Sequence, residues 1–263
     1  MKRVTLARAL SKLGLCSRAQ ARLRIEGGDV RVGGRVVRDP DAWVDLARDR
    51  IEVGGVAAAK APHGYLAMHK PPGYVTTRSD ERGRKTVYEL LPPALRALFP
   101  IGRLDKDSSG LLLWTNDTRF GERVTSPGVA IEKEYRVRLD RLLAPEHGRA
   151  LESPLELPDG TRLLPARLGP DPDAREDRSA FTITIVEGKN RQIRRACELL
   201  GYEVVRLHRV RVGHLRLGDL PEGAHRALTD AEVAAFGGPG APTAPDTPRT
   251  GRGAPHRRRR TRS

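Results

Sequence analysis

Leu6, Leu10 and Leu13 recur at the spacing of one helix face, and Gly14 supplies a stop. Ser17-Arg18-Ala19-Gln20 has the form of a capping box, so a second helix is predicted to about Ile25, ended by Gly27-Gly28. The period then falls to two. Val30 and Val32 alternate, Gly33-Gly34 suits a tight hairpin, Val36-Val37 return, and Ile51 and Val53 suggest another short strand. Further on, strands are predicted at 65–69, 111–115, 132–139, 180–186 and 203–212. Helices are predicted near 86–91, 117–124, 190–200 and 229–235, the last opened by a second capping box, Thr229-Asp230-Ala231-Glu232. The elements mix without regular βαβ alternation, which favours an α+β fold over a doubly wound one. Three parts are expected: a small module at 1–60, a larger domain at 64–236 and a tail at 237–263. Ala57-Ala58-Ala59-Lys60-Ala61-Pro62 reads as the hinge between the first two.

Composition places the chain among soluble globular proteins, with 38% hydrophobic and 31% charged residues. No apolar run approaches the ~20 residues of a membrane span. Met1-Lys2-Arg3-Val4-Thr5 lacks an apolar signal core, so a cytosolic protein is expected. Cys16 and Cys197 are isolated and read as reduced thiols, and no Cys/His cluster has zinc spacing.

Charge changes the picture most. Lys and Arg outnumber Asp and Glu 48 to 33, a net +15, which calls for a polyanionic partner. Residues 237–263 hold seven Arg and one Asp among Gly, Pro and Thr, so this tail is expected to be disordered. It reads equally as a loose RNA-binding arm or a dispensable end. At the other end Lys2, Arg3, Arg8, Lys12, Arg18, Arg22 and Arg24 precede the first acid, Glu26. Arg18 and Arg22 share a helical face, and each such cation can neutralise a phosphate. Lys2, Arg3, Arg8, Lys12, Arg18 and Arg22 are the candidate RNA contacts here. Leu6 to Val53 resembles the S4 RNA-binding domain, on Ala7-Arg8-Ala9-Leu10, Cys16-Ser17-Arg18 and Ile25-Glu26-Gly27-Gly28-Asp29-Val30-Arg31-Val32-Gly33-Gly34.

Candidate chemistry begins with Gly102-Arg103-Leu104-Asp105, a polar loop running into the apolar Leu111-Leu112-Leu113-Trp114. A strand would hold Asp105 rigidly, a guanidinium at Arg103 would favour its charged form, and a positioned carboxylate is a nucleophile. A structural salt bridge fits the same residues. Tyr135, in Lys133-Glu134-Tyr135, either packs or stacks on a base. Asn190 is expected to cap a helix whose buried stripe is Ile193, Cys197 and Leu200. Arg191, Arg194 and Arg195 then converge at its positive end, where dipole complementarity favours acids, so a phosphate or carboxylate partner is expected. Arg206, His208, Arg209 and Arg211 extend the basic surface, with His208 a contact or packing residue rather than a base.

Together the motifs resemble the bacterial ribosomal RNA pseudouridine synthases of the RsuA/RluB type. They are His69-Lys70-Pro71-Pro72-Gly73-Tyr74, Gly102-Arg103-Leu104-Asp105 with Ser109-Gly110-Leu111-Leu112-Leu113, Lys133-Glu134-Tyr135 and Glu187-Gly188-Lys189-Asn190-Arg191-Gln192-Ile193-Arg194-Arg195. The resemblance implies an S4-like domain followed by a mixed, mainly antiparallel-sheet catalytic domain. It implies that Asp105 is the catalytic aspartate, Tyr135 packs on the target base, Arg194 pairs with Asp105, and Arg103 helps place the flipped nucleotide. Isomerisation adds no group, so no cofactor is expected. The expected partner is ribosomal RNA, 23S favoured on the segment Tyr74 to Val87 and the Arg-rich tail, with 16S as alternative, acted on by a monomer. The alternatives from other classes are a non-catalytic RNA-binding assembly factor and a nucleoside hydrolase in which Asp107 partners Asp105.

Overall fold

The computed structural model describes residues 3–16, 18–59, 62–174 and 179–237. The expected cap at Ser17, the RNA contact at Lys2 and the tail beyond Gly237 lie outside them.

The N-terminal module holds β1 (Val4–Thr5), α1 (Leu6–Lys12), α2 (Arg18–Glu26), β2 (Val30–Val32), β3 (Arg35–Val36), β4 (Trp43–Val44), β5 (Ile51–Val53) and β6 (Val56–Ala57). Leu6, Leu10, Ala21, Ile25 and Val30 have no exposed surface and form its core. Gly33 and Gly34 take φ of 56° and 79°, the left-handed pair that a two-residue hairpin between β2 and β3 requires. The predicted hinge is partly sheet: Ala57 lies in β6, and the Ala58 N–H donates to the Ile51 carbonyl at 2.7 Å.

The larger domain holds β7 (Tyr65–Lys70), β8 (Phe99–Ile101), β9 (Ser109–Thr115), α3 (Thr118–Thr125), β10 (Lys133–Leu139), α4 (Pro145–Leu151), β11 (Leu155–Glu156), β12 (Arg162–Leu163), β13 (Arg167–Pro170), β14 (Ala180–Ile185), α5 (Gln192–Leu199), β15 (Val204–Val212), β16 (Leu215–Arg216), β17 (His225–Ala227) and α6 (Asp230–Ala234). Its main sheet runs β13-β14-β10-β15-β9-β7-β17, with β8 and β16 added at β9 and β15. All described pairs in it are antiparallel except β15 with β9, as an α+β reading requires.

β9 explains the layering. All seven of its residues are buried, so the run Leu111-Leu112-Leu113-Trp114 serves both faces. Leu112 and Trp114 join the core with Met68, Val137 and Ile183, and Leu111 and Leu113 join Phe120, Val212 and Phe236. A strand covered on both sides reads as an unbroken apolar run rather than an alternating one. At the C-terminal end the Thr229 box closes as expected, with Thr229 Oγ1 accepting from Glu232 N and the Glu232 carboxylate accepting from Thr229 N.

A candidate active site between the 102–108 loop and the sheet

A cavity of about 470 Å³ opens between the loop before β9 and the face of β10, β14 and β15. Arg103, Asp105, Lys133, Tyr135, Glu187, Arg191 and Arg209 are among its lining residues. Asp105 keeps about a third of its side chain exposed, and Tyr135 lies in the floor at 8% exposure. The cavity's second carboxylate, Glu187, is already engaged by Lys189 Nζ at 3.1 Å, Gln192 Nε2 at 2.7 Å and Leu164 N at 2.8 Å.

The loop that carries Asp105 is held from beneath. Thr76 Oγ1 donates to the Leu104 carbonyl at 2.7 Å and accepts from Leu104 N at 3.3 Å. Gly73 N donates to the Lys106 carbonyl at 2.8 Å. Lys70, wholly buried at the end of β7, spends its three N–H bonds on the carbonyls of Pro71, Lys106 and Ser108, at 3.0, 3.2 and 2.7 Å. Burial pushes its ammonium down to about 8 and the charge of Arg209 adds to that, while Asp107 and Asp105 oppose. Sequence reading assigned Lys70 no role. The available signal was a lysine closing an apolar strand immediately before Pro71-Pro72-Gly73.

The arginines at α5 divide differently from expectation. Asn190 is not the cap: Arg191 occupies that position in the left-handed region at φ 46°, with no side-chain cap bond. Such a backbone is costly for a residue with a Cβ, and here it carries the cation that meets Asp105, with Arg191 Nη1 at 3.6 Å from the carboxylate. Arg194 does not pair with Asp105. It donates to the carbonyls of Val204 at 2.6 Å and Asp107 at 3.3 Å, half-buried behind the loop. It therefore positions the loop. Burial, with the charge of Arg191, lowers its affinity for the proton, and Asp105 and Asp107 oppose this. Arg195 is ion-paired with Asp159 at 2.6 Å. Arg103 makes no described ion pair with Asp105 and stands exposed at the cavity mouth. Asp107 contributes no lining to the cavity, which removes the expected second carboxylate of a hydrolase.

The expected basic surface of β15 is largely interior. Arg206 is exposed, but Arg209 is 5% exposed and His208 is 8% exposed. Arg211 is held by Glu134 and Glu132 at 2.7 and 2.9 Å. His208 bonds Ser109 Oγ at 2.8 Å, and burial, followed by His69 and nearby arginines, pushes it down to about 4. In the N-terminal module Arg3, Arg8, Lys12, Arg18 and Arg22 are all exposed. Arg22 already meets both Asp41 carboxylate oxygens, at 2.9 and 3.0 Å, a surface pair that a phosphate can displace at little cost.

The sequence model of the RNA pseudouridylate synthase family matches residues 64–199, and that of the S4 domain matches residues 4–56. The chain belongs to the RNA pseudouridylate synthase family. It is 35% identical to the ribosomal large subunit pseudouridine synthase B of Bacillus subtilis (strain 168), over 87% of this chain and 93% of that one. It is also 35% identical to the dual-specificity RNA pseudouridine synthase RluF of Escherichia coli (strain K12), over 88% and 77%. A crystal structure of a pseudouridylate synthase superposes with a TM-score of 0.65 at 28% identity, covering 89% of this chain and 99% of that one.

Lys70 gives this pseudouridine synthase a testable weak point. Lys70→Met leaves three carbonyls without their donor, so it is expected to cost about 2 kcal/mol or more in chemical denaturation at pH 7. The sign of the pH effect follows from the depressed ammonium. Between about pH 8 and 10.5 the folded chain has released a proton that the unfolded chain still holds. Wild-type stability therefore rises with pH there, and the gap over Lys70→Met widens. A gap that narrows between pH 7 and pH 10 contradicts this.

Proposed function

We propose that this chain converts one uridine of ribosomal RNA to pseudouridine, in the 23S molecule, with Asp105 as the nucleophile. The reading rests on one observation: Asp105 is the cavity's one carboxylate not committed to a structural network among the described residues, in a chamber of nucleoside size floored by Tyr135. A base buried in stacked RNA reaches such a chamber only by flipping out, which costs a few kcal/mol. The exposed cations of the S4 domain and the cavity rim repay that cost through the backbone. Tyr135 then packs on the base, Arg191 steadies the carboxylate, Arg103 meets the nucleotide at the mouth, and Arg194 keeps the loop in place. The name of the Bacillus subtilis relative supports the large-subunit target. On this reading the chain acts as a monomer in the cytosol, on assembling ribosomes.

The test is a pseudouridine map of both ribosomal RNAs from cells with and without the gene, with purified protein added back to unmodified transcripts. Loss and restoration of one 23S position is expected. A position lost from 16S instead moves the target to the small subunit, and unchanged maps overturn the assignment.

A further inference from the structure

Among the described residues, two cations in the floor of the cavity have no counter-charge. Arg209 is 5% exposed, yet it lines the chamber. Its Nε donates to the Leu111 carbonyl at 2.7 Å, and among the described residues its other guanidinium N–H groups meet no acceptor. Lys133 is half-buried in the same lining and donates to the Ile131 carbonyl at 2.9 Å, which leaves two of its N–H bonds unspent. Among the described residues neither cation has a carboxylate at ion-pair distance. Burial, with the charge of Arg209, pushes Lys133 down.

Their placement is set by the sheet. Tyr135 of β10 stands opposite Arg209 of β15, and the Arg209 guanidinium lies 6.0 Å from the centre of the Tyr135 ring. Lys133 is two residues earlier on β10, on the face it shares with Tyr135. Two desolvated cations flanking the ring on which the base packs are an expensive arrangement without an anion to receive.

We propose that Lys133 and Arg209 form an oxyanion subsite for the uracil ring, binding its carbonyl oxygens as the base detaches. The inference rests on Asp105 acting at the sugar. When the N1–C1′ bond breaks, its electron pair leaves with the uracil and spreads over N1 and the two carbonyl oxygens, while C1′ bonds to a carboxylate oxygen of Asp105. When C5 later attacks C1′, the pair forms the new C–C bond and the carboxylate leaves with its own. C5 then loses its proton and N1 gains one. Donors fixed where charge collects are the arrangement that speeds such a step. A backbone phosphate is the less suitable occupant. A flipped nucleoside would keep its sugar-phosphate chain at the mouth, where the exposed Arg103 and Arg191 stand, whereas Arg209 is buried in the lining.

Lys133→Gln keeps an N–H for Ile131 and drops the charge, and Lys133→Arg keeps the charge. Single-turnover rates and RNA affinities are measured on the transcript that the wild-type protein modifies. If the wild type modifies neither ribosomal transcript, it is the proposed function that fails. With an active wild type, Lys133→Gln is expected to lower the rate at saturating RNA about 100-fold. Kd and its salt dependence should be unchanged, and Lys133→Arg should recover most of the rate. Weaker binding with a salt slope reduced by about one, at an unchanged saturated rate, would mark a phosphate contact and overturn the uracil assignment. An unchanged rate and affinity, or a rate loss that tracks a lowered melting temperature and is shared by Lys133→Arg, overturns it as well.

Discussion

Asp105→Asn is expected to reduce pseudouridine formation by at least about a thousandfold while RNA binding is kept, because removal of a nucleophile takes away a step that binding alone cannot replace. The substitution is nearly isosteric. It gives up an ion pair with Arg191 at 3.6 Å whose partners are 47% and 31% exposed, which is worth no more than about 1 kcal/mol. The loop keeps its other restraints, since Thr76, Gly73 and Lys70 hold its backbone and not the carboxylate. Removing a negative charge from a cationic chamber leaves RNA affinity unchanged or slightly raised. The measurement is a single-turnover assay with a chemical pseudouridine probe, beside a binding titration at matched salt. Product formed within tenfold of the wild-type rate refutes Asp105 as nucleophile. Lost binding with lost activity would show instead that the residue serves the RNA site as a whole.

How much of this was legible in the sequence depends on how local its cause was. The strands 65–70, 109–115, 133–139, 180–185 and 204–212 stood out because continuous or alternating apolar residues admit few other solutions. Phe99–Ile101 is too short to show a period, and α4 carries Pro145 and Gly148 with Leu151 its one buried residue, so neither was predicted. Asp105 and Tyr135 were found by residue type and motif, and the fold places both in one cavity. The arginines were harder. Counting i, i+3, i+4 from Arg191 assumed that it lay inside the helix, but its left-handed backbone puts it outside, facing Asp105, and sends Arg194 behind the loop. Lys70 was given no role and Arg209 was read as surface for a shared reason. A cation reads as surface unless the backbone carbonyls that receive it are known, and those arrive from segments about 40 and 100 residues away in sequence.

The largest structural effect is expected at Gly110, where β9 meets β15. Gly110 has φ of 105°, and a Cβ built there would lie 2.2 Å from the Arg209 carbonyl oxygen and 2.6 Å from its nitrogen. Both are backbone atoms, so no side-chain rotation relieves the contact. Gly110→Ala must therefore strain its own backbone or part the His208–Arg209 and Ser109–Gly110 ladder. Strain of about 1–3 kcal/mol for the dihedral and a similar overpacking term add to about 4 kcal/mol. For a domain of this size that is a fall of about 8–16 °C in melting temperature. Activity should fall beyond the loss of folded protein. β15 carries Arg209 into the cavity, and the strand it would leave begins where the Asp105 loop ends. Gly33→Ala is the matched control, also at positive φ but with nothing within 4 Å of the added carbon. Its cost should be limited to about 1 kcal/mol of backbone strain, with activity intact. If the two variants melt within 2 °C of one another by calorimetry, the close approach of β9 and β15 at Gly110 is not what holds the loop and the cavity floor together.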